Sequence, residues 1–209
     1  AYDNDEGPNT GGMGAYTPLP FVTAEDEAFA RKYVLEAVAK GMCQEGLPLT
    51  GVLYGGLMKT AQGVKVIEFN ARFGDPETEV VLPLLESDAY DVFYGIATGA
   101  NSQSPIANSP LQWRNEATIG VVLASKGYPG SYAKGAVIEG TELFDGPIFH
   151  MGTKNENGVL KTNGGRVMMC IATGKDIATA RAKVYKEIEK IQCPNLFYRK
   201  DIGHWLDRL

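Results

Sequence analysis

The residue types that could do chemistry are concentrated in one segment, which reads Val-Ile-Glu-Phe-Asn-Ala-Arg-Phe-Gly-Asp-Pro-Glu-Thr-Glu over residues 66–79. Its first part has the pattern of a strand, and side chains two residues apart on a strand point to the same face. Glu68 and Asn70 therefore place a carboxylate and an amide oxygen side by side. These are hard oxygen ligands of the kind that a magnesium ion holding phosphate groups requires. The alternative is a solvated strand end, because Glu-x-Asn pairs often occur by chance.

The loop after this strand adds a cation and an anion. Arg72 could stabilise negative charge on a transferring phosphoryl group or an acyl phosphate, or it could form a surface ion pair with Glu77 or Glu79. Asp75 could hold a substrate ammonium, or it could cap the helix that Pro76 is expected to open. The segment predicts a substrate site, with these structural alternatives open.

Two further segments contain groups suited to an anion. The run Gly7-Pro-Asn-Thr-Gly-Gly-Met-Gly14 has glycines whose backbone N–H groups can approach a ligand closely and form an anion nest. It lacks the Gly-Lys-Ser/Thr ending of a P-loop, and a flexible turn is the alternative. Near the end of the chain, the adjacent cations Arg199 and Lys200 could clamp a phosphate or form a solvated cluster.

Composition argues against several classes of protein. The 209 residues are 44% hydrophobic and 22% charged, which is ordinary for a soluble globular protein, and the net charge is −5. The absence of a Lys/Arg run argues against nucleic-acid binding, and no apolar run is long enough to span a membrane. The three cysteines are far apart and form no Cys-x-x-Cys pair, so we expect a reduced, cytoplasmic protein.

Periodicity and turn signals predict the elements that position these residues. The first half predicts a loop over 1–20, a helix capped by Thr23 and ending near Gly46, an antiparallel hairpin of strands 50–60 and 64–70, a helix from Pro76 to about Leu85, and another over 88–98. The second half predicts strands over 117–124, 136–139, 147–151, 158–161 and 166–173, a helix over 176–191 and an irregular tail from 194. A compositional break over 99–110 predicts a boundary between domains 1–105 and 106–209.

Taken in order, these segments resemble the ATP-grasp family of glycinamide ribonucleotide synthetase, also called phosphoribosylamine–glycine ligase. The resemblance rests on residues 7–16, 51–58, 66–79, 120–130, 150–153, 165–167 and 197–203, and it covers essentially the whole chain. It implies an α+β fold. The large lobe of an ATP-grasp domain, with an antiparallel sheet and helices, would be followed by a small strand-rich domain with one main helix.

The resemblance also implies an activity. The family joins glycine to 5-phospho-D-ribosylamine, with ATP as co-substrate, through a glycyl phosphate in the second step of de novo purine synthesis. Mg²⁺ (or Mn²⁺) is required, and Glu68 and Asn70 match the family's metal ligands. The catalytic candidates are Asp75, which would hold the amine, and Arg72, which would face the acyl phosphate. The substrate-binding candidates are Asp5, Pro8, Asn9, Thr10, Gly11, Gly12, Met13, Gly14, Asp75, Pro76, Glu77, Arg199 and Lys200.

The resemblance leaves the number of metal ions open. Many ATP-grasp enzymes have a second acidic ligand on the preceding strand, where this sequence reads Tyr54-Gly55-Gly56.

The chain is expected to be part of a longer enzyme. It has no initiator Met and starts in a loop rich in glycine and proline. The resemblance implies an upstream half, with a first α/β domain and the small ATP-grasp lobe that covers adenine and phosphates. Eukaryotic relatives often fuse this synthetase to further purine enzymes. Alone, the chain is expected to be inactive, and the alternatives are a non-catalytic fragment or another ATP-grasp carboxylate–amine ligase.

Overall fold

The computed structural model describes residues 1–99 and 110–204. The chain divides into two compact units. The first comprises Ala1–Pro18, Asp75–Leu84 and the chain from Asn115 onward, and the second comprises Leu19–Gly74 and Leu85–Arg114. The boundary expected between residues 105 and 106 lies outside the described residues and stays a prediction. Antiparallel sheets combined with helices confirm the α+β class.

The centre of the first unit is a pair of antiparallel strands, β4 (Ala117–Ser125) and β8 (Arg166–Gly174). Every residue of β4 is buried, as are the middle residues of β8. The sheet continues with β1 (Gly14–Thr17) beside β4, β5 (Ile148–His150) beside β8, and β9 (Leu196–Phe197) beside the end of β4. All of these pairs are antiparallel, and both faces of the central pair need a cover.

Helix α5 (Ile177–Ile188) covers one face of the central pair. It begins after Asp176, the first residue of the helix predicted over 176–191, whose carboxylate accepts a hydrogen bond from the Thr179 N–H at 2.8 Å. Its apolar side packs against alternate residues of the two strands, which gives the main core of this unit. The buried residues that these three elements contribute are Ile119, Val121, Leu123, Ala124, Val167, Met168, Cys170, Ala172, Ala180, Val184 and Ile188.

Helix α3 (Thr78–Val81), which a 3₁₀ turn at Leu82–Leu84 extends, covers the opposite face. Its buried Val80 packs with Val122, Met169 and Ile171. The expectation that Pro76 opens this helix was wrong, because the helix begins two residues later.

Four of the five strands predicted in the second half are present, one is not, and two further strands of the described residues were missed. A separate hairpin of β6 (Thr153–Glu156) and β7 (Val159–Thr162) turns at Asn157-Gly158, whose φ angles are 54° and 83°. Positive φ at both positions is the geometry of a tight hairpin turn. Only a strand over 158–161 had been expected here. The strand expected over 136–139 is reduced to isolated bridges.

Two strands of the main sheet occur where irregular chain was expected. β1 lies within the predicted 1–20 loop, and β9 lies within the predicted tail. Both are short, and both pair with β4, to which β9 adds only two residues. Their formation therefore depends on β4 and not on a strand pattern of their own.

The second unit begins with a long helix. Thr23 and Asp26 form the predicted capping box at its start. The helix runs through α1 (Ala24–Phe29), a π-helical stretch over Ala30–Leu35 and α2 (Glu36–Gln44).

The predicted hairpin packs beside this helix as β2 (Tyr54–Thr60) and β3 (Gly63–Asn70). Lys59 of β2 joins the two elements, because its Nζ lies 2.6 Å from the Asp26 carboxylate and donates to the Phe21 carbonyl at 2.7 Å.

The last helix of the second unit, α4 (Ala89–Thr98), confirms the helix predicted over 88–98 and is capped by Asp88. Its Phe93 ring packs edge-on against Phe73, with 5.8 Å between centroids.

The three cysteines have free thiols, and burial raises the pKa of the Cys170 thiol to about 12. A thiol with so high a pKa is unreactive at neutral pH. Within residues 1–99 and 110–204, no helix has both the length and the apolar character needed to cross a bilayer.

An ion-pair cluster ties the first residues of the first unit to its last described residues. The Arg199 guanidinium donates to Asp201 from Nε and from Nη2, each at 2.8 Å, and to Asp5 from Nη2 at 2.8 Å. Asp201 also accepts the Asn4 N–H at 2.7 Å. Hydrogen bonding from Arg199 holds the pKa of the Asp201 carboxyl well below its usual range. The chain segments joined by this cluster are nearly two hundred residues apart in sequence, so only the folded state forms it.

Gly120, in the middle of β4, is a position where the core has no room for a side chain. A Cβ there would collide with Met169 and Ile171 and would lie 3.1 Å from Val80 Cγ1. We expect Gly120→Val to lower the free energy of unfolding by about 1–3 kcal/mol, because overpacking displaces well-packed neighbours. The control is Gly41→Ala on α2, where nothing lies within 4 Å of the added Cβ. This substitution should stabilise the helix by about 0.5–1 kcal/mol. Urea unfolding followed by far-UV circular dichroism measures both, and equal effects would contradict the packing argument.

We expect the Arg199–Asp201 interaction to stabilise the fold at neutral pH and to be lost in acid. Because the pKa of Asp201 in the folded chain lies below its ordinary value of 3.8, the unfolded state binds this proton more tightly. The stabilisation is therefore fully present above pH 3.8 and disappears as the pH falls below it. Asp201→Asn should lower Tm at neutral pH, and its difference from the parent protein should shrink in acid.

Thermal melts over a pH series measure that difference. The matched control is Asp145→Asn, because the Asp145 carboxylate forms an exposed ion pair with Lys183 at 3.2 Å. We expect this exposed pair to contribute less than about 1 kcal/mol. A Tm difference for Asp201→Asn that stays constant into acid would refute the stabilising role of its charge.

Candidate functional site

The glycine-rich loop leads directly into β1 and is held by specific packing. The Thr10 hydroxyl accepts a hydrogen bond from the Gly12 N–H at 3.1 Å. Gly12 has a φ angle of +111°, and a Cβ there would lie 2.6 Å from Cδ of the buried Pro76. Only glycine suits this position, because L side chains avoid this φ region and Pro76 fills the space. Close packing, and not turn propensity alone, therefore requires this glycine.

A cavity of about 450 Å³ lies beside this loop, and all of its lining residues belong to the first unit. It brings together seven of the predicted substrate-binding residues, Asp5, Asn9, Thr10, Gly12, Met13, Gly14 and Arg199. The other lining residues are Ala1, Gly7 and Ile202. Pro8, Gly11 and Lys200, which were also predicted to bind substrate, are not in the lining. The volume and the mostly polar lining suit a small polar metabolite.

Arg199 lines this cavity, and its positive charge is already paired with two neighbouring carboxylates. Hydrogen bonds to the carboxylates of Asp201 and Asp5 raise the pKa of Arg199. Its neighbour Lys200 is exposed, and the Lys200 backbone N–H donates to the Asp3 carboxylate at 2.7 Å. A phosphate at Arg199 would meet a guanidinium whose Nε and Nη2 donors are already bound to two carboxylates. The phosphate-binding role of Arg199 and Lys200 stays a prediction.

Asp75 is paired with an arginine that the sequence analysis did not select. Arg166, the first residue of β8, lies with Nη1 2.9 Å from the Asp75 carboxylate. The same nitrogen donates to the backbone carbonyls of Asp75 and Gly11, each at 3.1 Å, and to that of Gly12 at 3.5 Å. Arg166 thus contacts both the glycine-rich loop and the predicted amine-binding carboxylate. In sequence, Arg166 lies within the family resemblance over residues 165–167, and no role was assigned to it there.

Asp75 does not cap helix α3. The residue at the N-cap position is Glu77, and no side chain accepts a hydrogen bond there. The Asp75 side chain remains about half exposed, at 49%. The capping alternative is therefore wrong, and the substrate-binding roles of Asp75 and Glu77 stay predictions.

Glu79 is a second carboxylate near this arginine. Its Oε2 is buried and has no hydrogen-bond partner, a property that among the described side chains is shared only by Thr118 Oγ1. Burial is the main reason why the pKa of Glu79 is raised, and the neighbouring Asp75 charge raises it further, while Arg166 opposes this. A buried carboxylate without a partner favours its protonated form.

In the second unit, Glu68 and Asn70 lie together at the end of β3. The Asn70 amide donates from Nδ2 to Glu68 Oε1 at 2.9 Å, which confirms that the two side chains share a face. The residue opposite Glu68 is Gly56, and a Cβ there would come within 3.0 Å of Glu68 Cγ. The glycine therefore leaves room for the glutamate side chain to lie across the hairpin.

This pair suits a magnesium ion that is bound partly by the protein and partly by nucleotide phosphates. Rotation of the Asn70 amide presents its oxygen beside the Glu68 carboxylate, so the donor set is two hard oxygens. No group of three or more His, Cys, Asp or Glu side chains is arranged for a metal within residues 1–99 and 110–204. Mg²⁺ commonly binds through one or two carboxylates and completes its shell with water and substrate phosphates.

Arg72, the other predicted catalytic residue, is exposed in the second unit. Its Nη1 donates to the backbone carbonyl of Phe73 at 2.7 Å. This contact orients the guanidinium. The role of Arg72 at an acyl phosphate stays a prediction.

Comparison with known proteins places both halves of the chain in one family. Residues 1–78 match the family model described as phosphoribosylglycinamide synthetase, ATP-grasp (A) domain, and residues 118–205 match that of the C domain of the same synthetase. A phosphoribosylamine–glycine ligase of Halalkalibacterium halodurans is 49% identical over 205 residues, covering 97% of this chain and 46% of the relative. The ligase of Listeria innocua is 47% identical, with coverages of 97% and 48%. The chain spans about half the length of these curated relatives.

A third relative is a longer protein whose name describes it as trifunctional. The trifunctional purine biosynthetic protein adenosine-3 of Gallus gallus is 45% identical over 205 residues, which cover 97% of this chain and 20% of the relative.

Solved structures agree with the sequence matches. The crystal structure of a phosphoribosylamine–glycine ligase from Thermotoga maritima has a TM-score of 0.83 at 35% identity, covering 96% of this chain and 48% of that chain. The biotin carboxylase domain of a Hydrogenobacter thermophilus 2-oxoglutarate carboxylase, solved with MgADP and bicarbonate, has a TM-score of 0.58 at 15% identity over 89% of this chain and 40% of that one. The second likeness shows the fold alone. With its ATP-grasp and C domains both matched, and with relatives of the same name along nearly its whole length, the chain belongs to the phosphoribosylglycinamide synthetase family.

Proposed function

We propose that this chain is the part of a phosphoribosylamine–glycine ligase that holds the metal ligands and much of the substrate-binding face. The enzyme would join glycine to 5-phospho-D-ribosylamine, with conversion of ATP to ADP and phosphate. The observation that carries the proposal is the polar cavity built by the glycine-rich loop, in a chain that is 49% identical to such a ligase along 97% of its length. We also propose a cytoplasmic location, which the free thiols support.

Glu68 and Asn70 would hold Mg²⁺ or Mn²⁺ through their side-chain oxygens, together with the phosphates of ATP. The metal would neutralise charge on the phosphates during phosphoryl transfer. The role of the hairpin is to keep these two ligands side by side, which their two-residue spacing and their 2.9 Å contact support.

In the first chemical step, a glycine carboxylate oxygen would form a bond to the γ-phosphorus of ATP as the bond to ADP breaks. Arg72 would stabilise the negative charge on the resulting glycyl phosphate. In the second step, the ribosylamine nitrogen would bond to the glycyl carbonyl carbon, and phosphate and a proton would leave. Asp75 would orient that nitrogen, since a half-exposed carboxylate can accept hydrogen bonds from an amine.

The cavity beside the glycine-rich loop would take the polar sugar end of the substrate. Close packing of the glycines at positions 12 and 14 against Pro76 and Ile202 fixes this part of the cavity wall, and the Thr10, Asn9 and Asp5 side chains offer polar contacts. Pro8, Gly11, Pro76 and Glu77 would support this surface from behind or beside it. Arg199 in the lining and the exposed Lys200 next to it would bind the phosphate.

We propose that the partner of the second unit is the remaining part of the same ligase polypeptide. The hairpin of this unit has only two strands, which are marginal as an isolated sheet. Apolar side chains on it are exposed, including Ile67 at 62%, Met58 at 53% and Phe69 at 40%. Relatives have about as much chain again to cover this surface. In fused relatives, further purine enzymes would be attached to the same polypeptide.

Adding the remaining half of the ligase to this chain tests the proposal. The chain alone should release no ADP above background, and the two halves together should release ADP only when both glycine and phosphoribosylamine are present. Omission of either substrate is the control. ADP release that needs neither substrate, or that responds to bicarbonate in place of glycine, would contradict the proposed reaction and point to another ATP-grasp ligase.

Glu68→Gln in the complete ligase tests the metal assignment. Replacing a carboxylate ligand by an amide should lower the apparent affinity for Mg²⁺ or Mn²⁺ by at least about tenfold, with a parallel loss of turnover. Mn²⁺ titration followed by electron paramagnetic resonance measures binding without reference to activity. Glu36→Gln is the matched control, because Glu36 forms only an exposed ion pair with Lys40 on α2. Unchanged Mn²⁺ binding in Glu68→Gln would remove Glu68 from the metal site.

A further inference from the structure

We propose that Arg166 is a positioning residue of the ligase reaction, which fixes the glycine-rich loop and the Asp75 carboxylate in one arrangement. This inference rests on the proposed function for its catalytic meaning, although its structural part can be tested separately. Arg166 is not one of the site residues predicted from the sequence, whereas its partners Asp75, Gly11 and Gly12 are.

The contacts of Arg166 come from two separate segments of the chain. Its Nη1 lies 2.9 Å from the Asp75 carboxylate and 3.1 Å from the Asp75 carbonyl oxygen. The same nitrogen reaches the carbonyls of Gly11 at 3.1 Å and Gly12 at 3.5 Å. These partners are 91 or more residues away in sequence. One guanidinium therefore joins the loop that lines the cavity to the residue predicted to hold the amine.

The backbone of Arg166 is itself well anchored. It is the first residue of the buried strand β8 and pairs with Ala124 of β4. Its side chain is only 19% exposed. Since the strand cannot shift without disturbing the core, the guanidinium is a fixed reference point for the loop.

The guanidinium also contributes its flat surface. Gly11 packs under the planar group, since a Cβ on Gly11 would lie 3.2 Å from Nη2 and 3.3 Å from Cζ of Arg166. A guanidinium is planar and rigid, whereas a lysine ammonium is a compact point charge on a flexible stem. Lysine at this position would retain a positive charge for Asp75 and lose the flat surface on which Gly11 packs.

The pairing also sets which part of Asp75 faces a substrate. Arg166 contacts one oxygen of the carboxylate, while the side chain as a whole stays 49% exposed. A substrate amine would therefore meet a carboxyl group whose orientation Arg166 has already determined. Positioning of this kind can be worth about 10²-fold in rate when the displacement is on the order of 1 Å.

The kinetic test uses Arg166→Ala, Arg166→Lys and Asp75→Asn in the complete ligase. We expect Arg166→Ala to lower kcat/KM for phosphoribosylamine by about 10²-fold, with KM for ATP unchanged within about twofold. Arg166→Lys should recover only part of this loss. Because Arg166 acts partly through Asp75 and partly through the loop, the two substitutions should be less than multiplicative: Arg166→Ala should slow the Asp75→Asn variant by a smaller factor than it slows the parent ligase. Lys183→Ala, which breaks an exposed ion pair with Asp145, is the control and should leave the kinetics unchanged.

Hydrogen exchange gives a second measurement that does not depend on activity. In Arg166→Lys, which keeps the charge and is expected to fold, amides of residues 9–14 should exchange faster than in the parent. Amides of α5 should exchange at the parent rate. If the loop amides are unchanged, or if the effects of the two substitutions multiply in the double variant, the positioning role is refuted. If the parent ligase shows no glycine-dependent ADP release, the proposed function fails, and hydrogen exchange still decides whether Arg166 fixes the loop.

Discussion

The burial of β4 and β8 on both faces is the constraint on which the first unit depends. Two adjacent strands with apolar residues on both faces need a covering element on each face. Helix α5 follows β8 directly and covers one face, whereas the second cover, α3, comes from a segment that precedes β4 in sequence. The need to cover that second face brings Asp75–Leu84 into the same unit as the last part of the chain.

The candidate functional residues of the first unit lie at the ends of the elements that satisfy this constraint. The glycine-rich loop enters β1, Asp75 and Pro76 precede α3, and Arg166 opens β8. Each backbone is anchored on one side by the core and exposed on the other. This combination allows precise placement of a polar group that must still reach a ligand, because function concentrates in connecting segments held by a rigid scaffold.

Local sequence was sufficient wherever the structure depends on local physics. The capping box at Thr23, the amphipathic α5 and the apolar runs of β4 and β8 follow from propensity and periodicity alone. The contact between Glu68 and Asn70 followed from strand alternation. In contrast, β1 and β9 form because β4 offers them an edge, and nothing in their own four and two residues predicts a strand. The polar strand β6 was missed for a different reason, since its four residues show no apolar alternation, although the Asn157-Gly158 turn encodes its hairpin locally.

The roles of the charged residues are the features that were hardest to predict from the sequence. Arg199 and Lys200 read as a phosphate clamp because they are adjacent cations, yet folding brings Asp5 from 194 residues away onto the Arg199 guanidinium. Arg166 had no such neighbour in sequence, and folding gives it an aspartate and three backbone carbonyls. A charge counted along the chain is available to a ligand only if no distant carboxylate compensates it. For anion sites and positioning residues alike, the tertiary partner decides the role, and no local pattern encodes that partner.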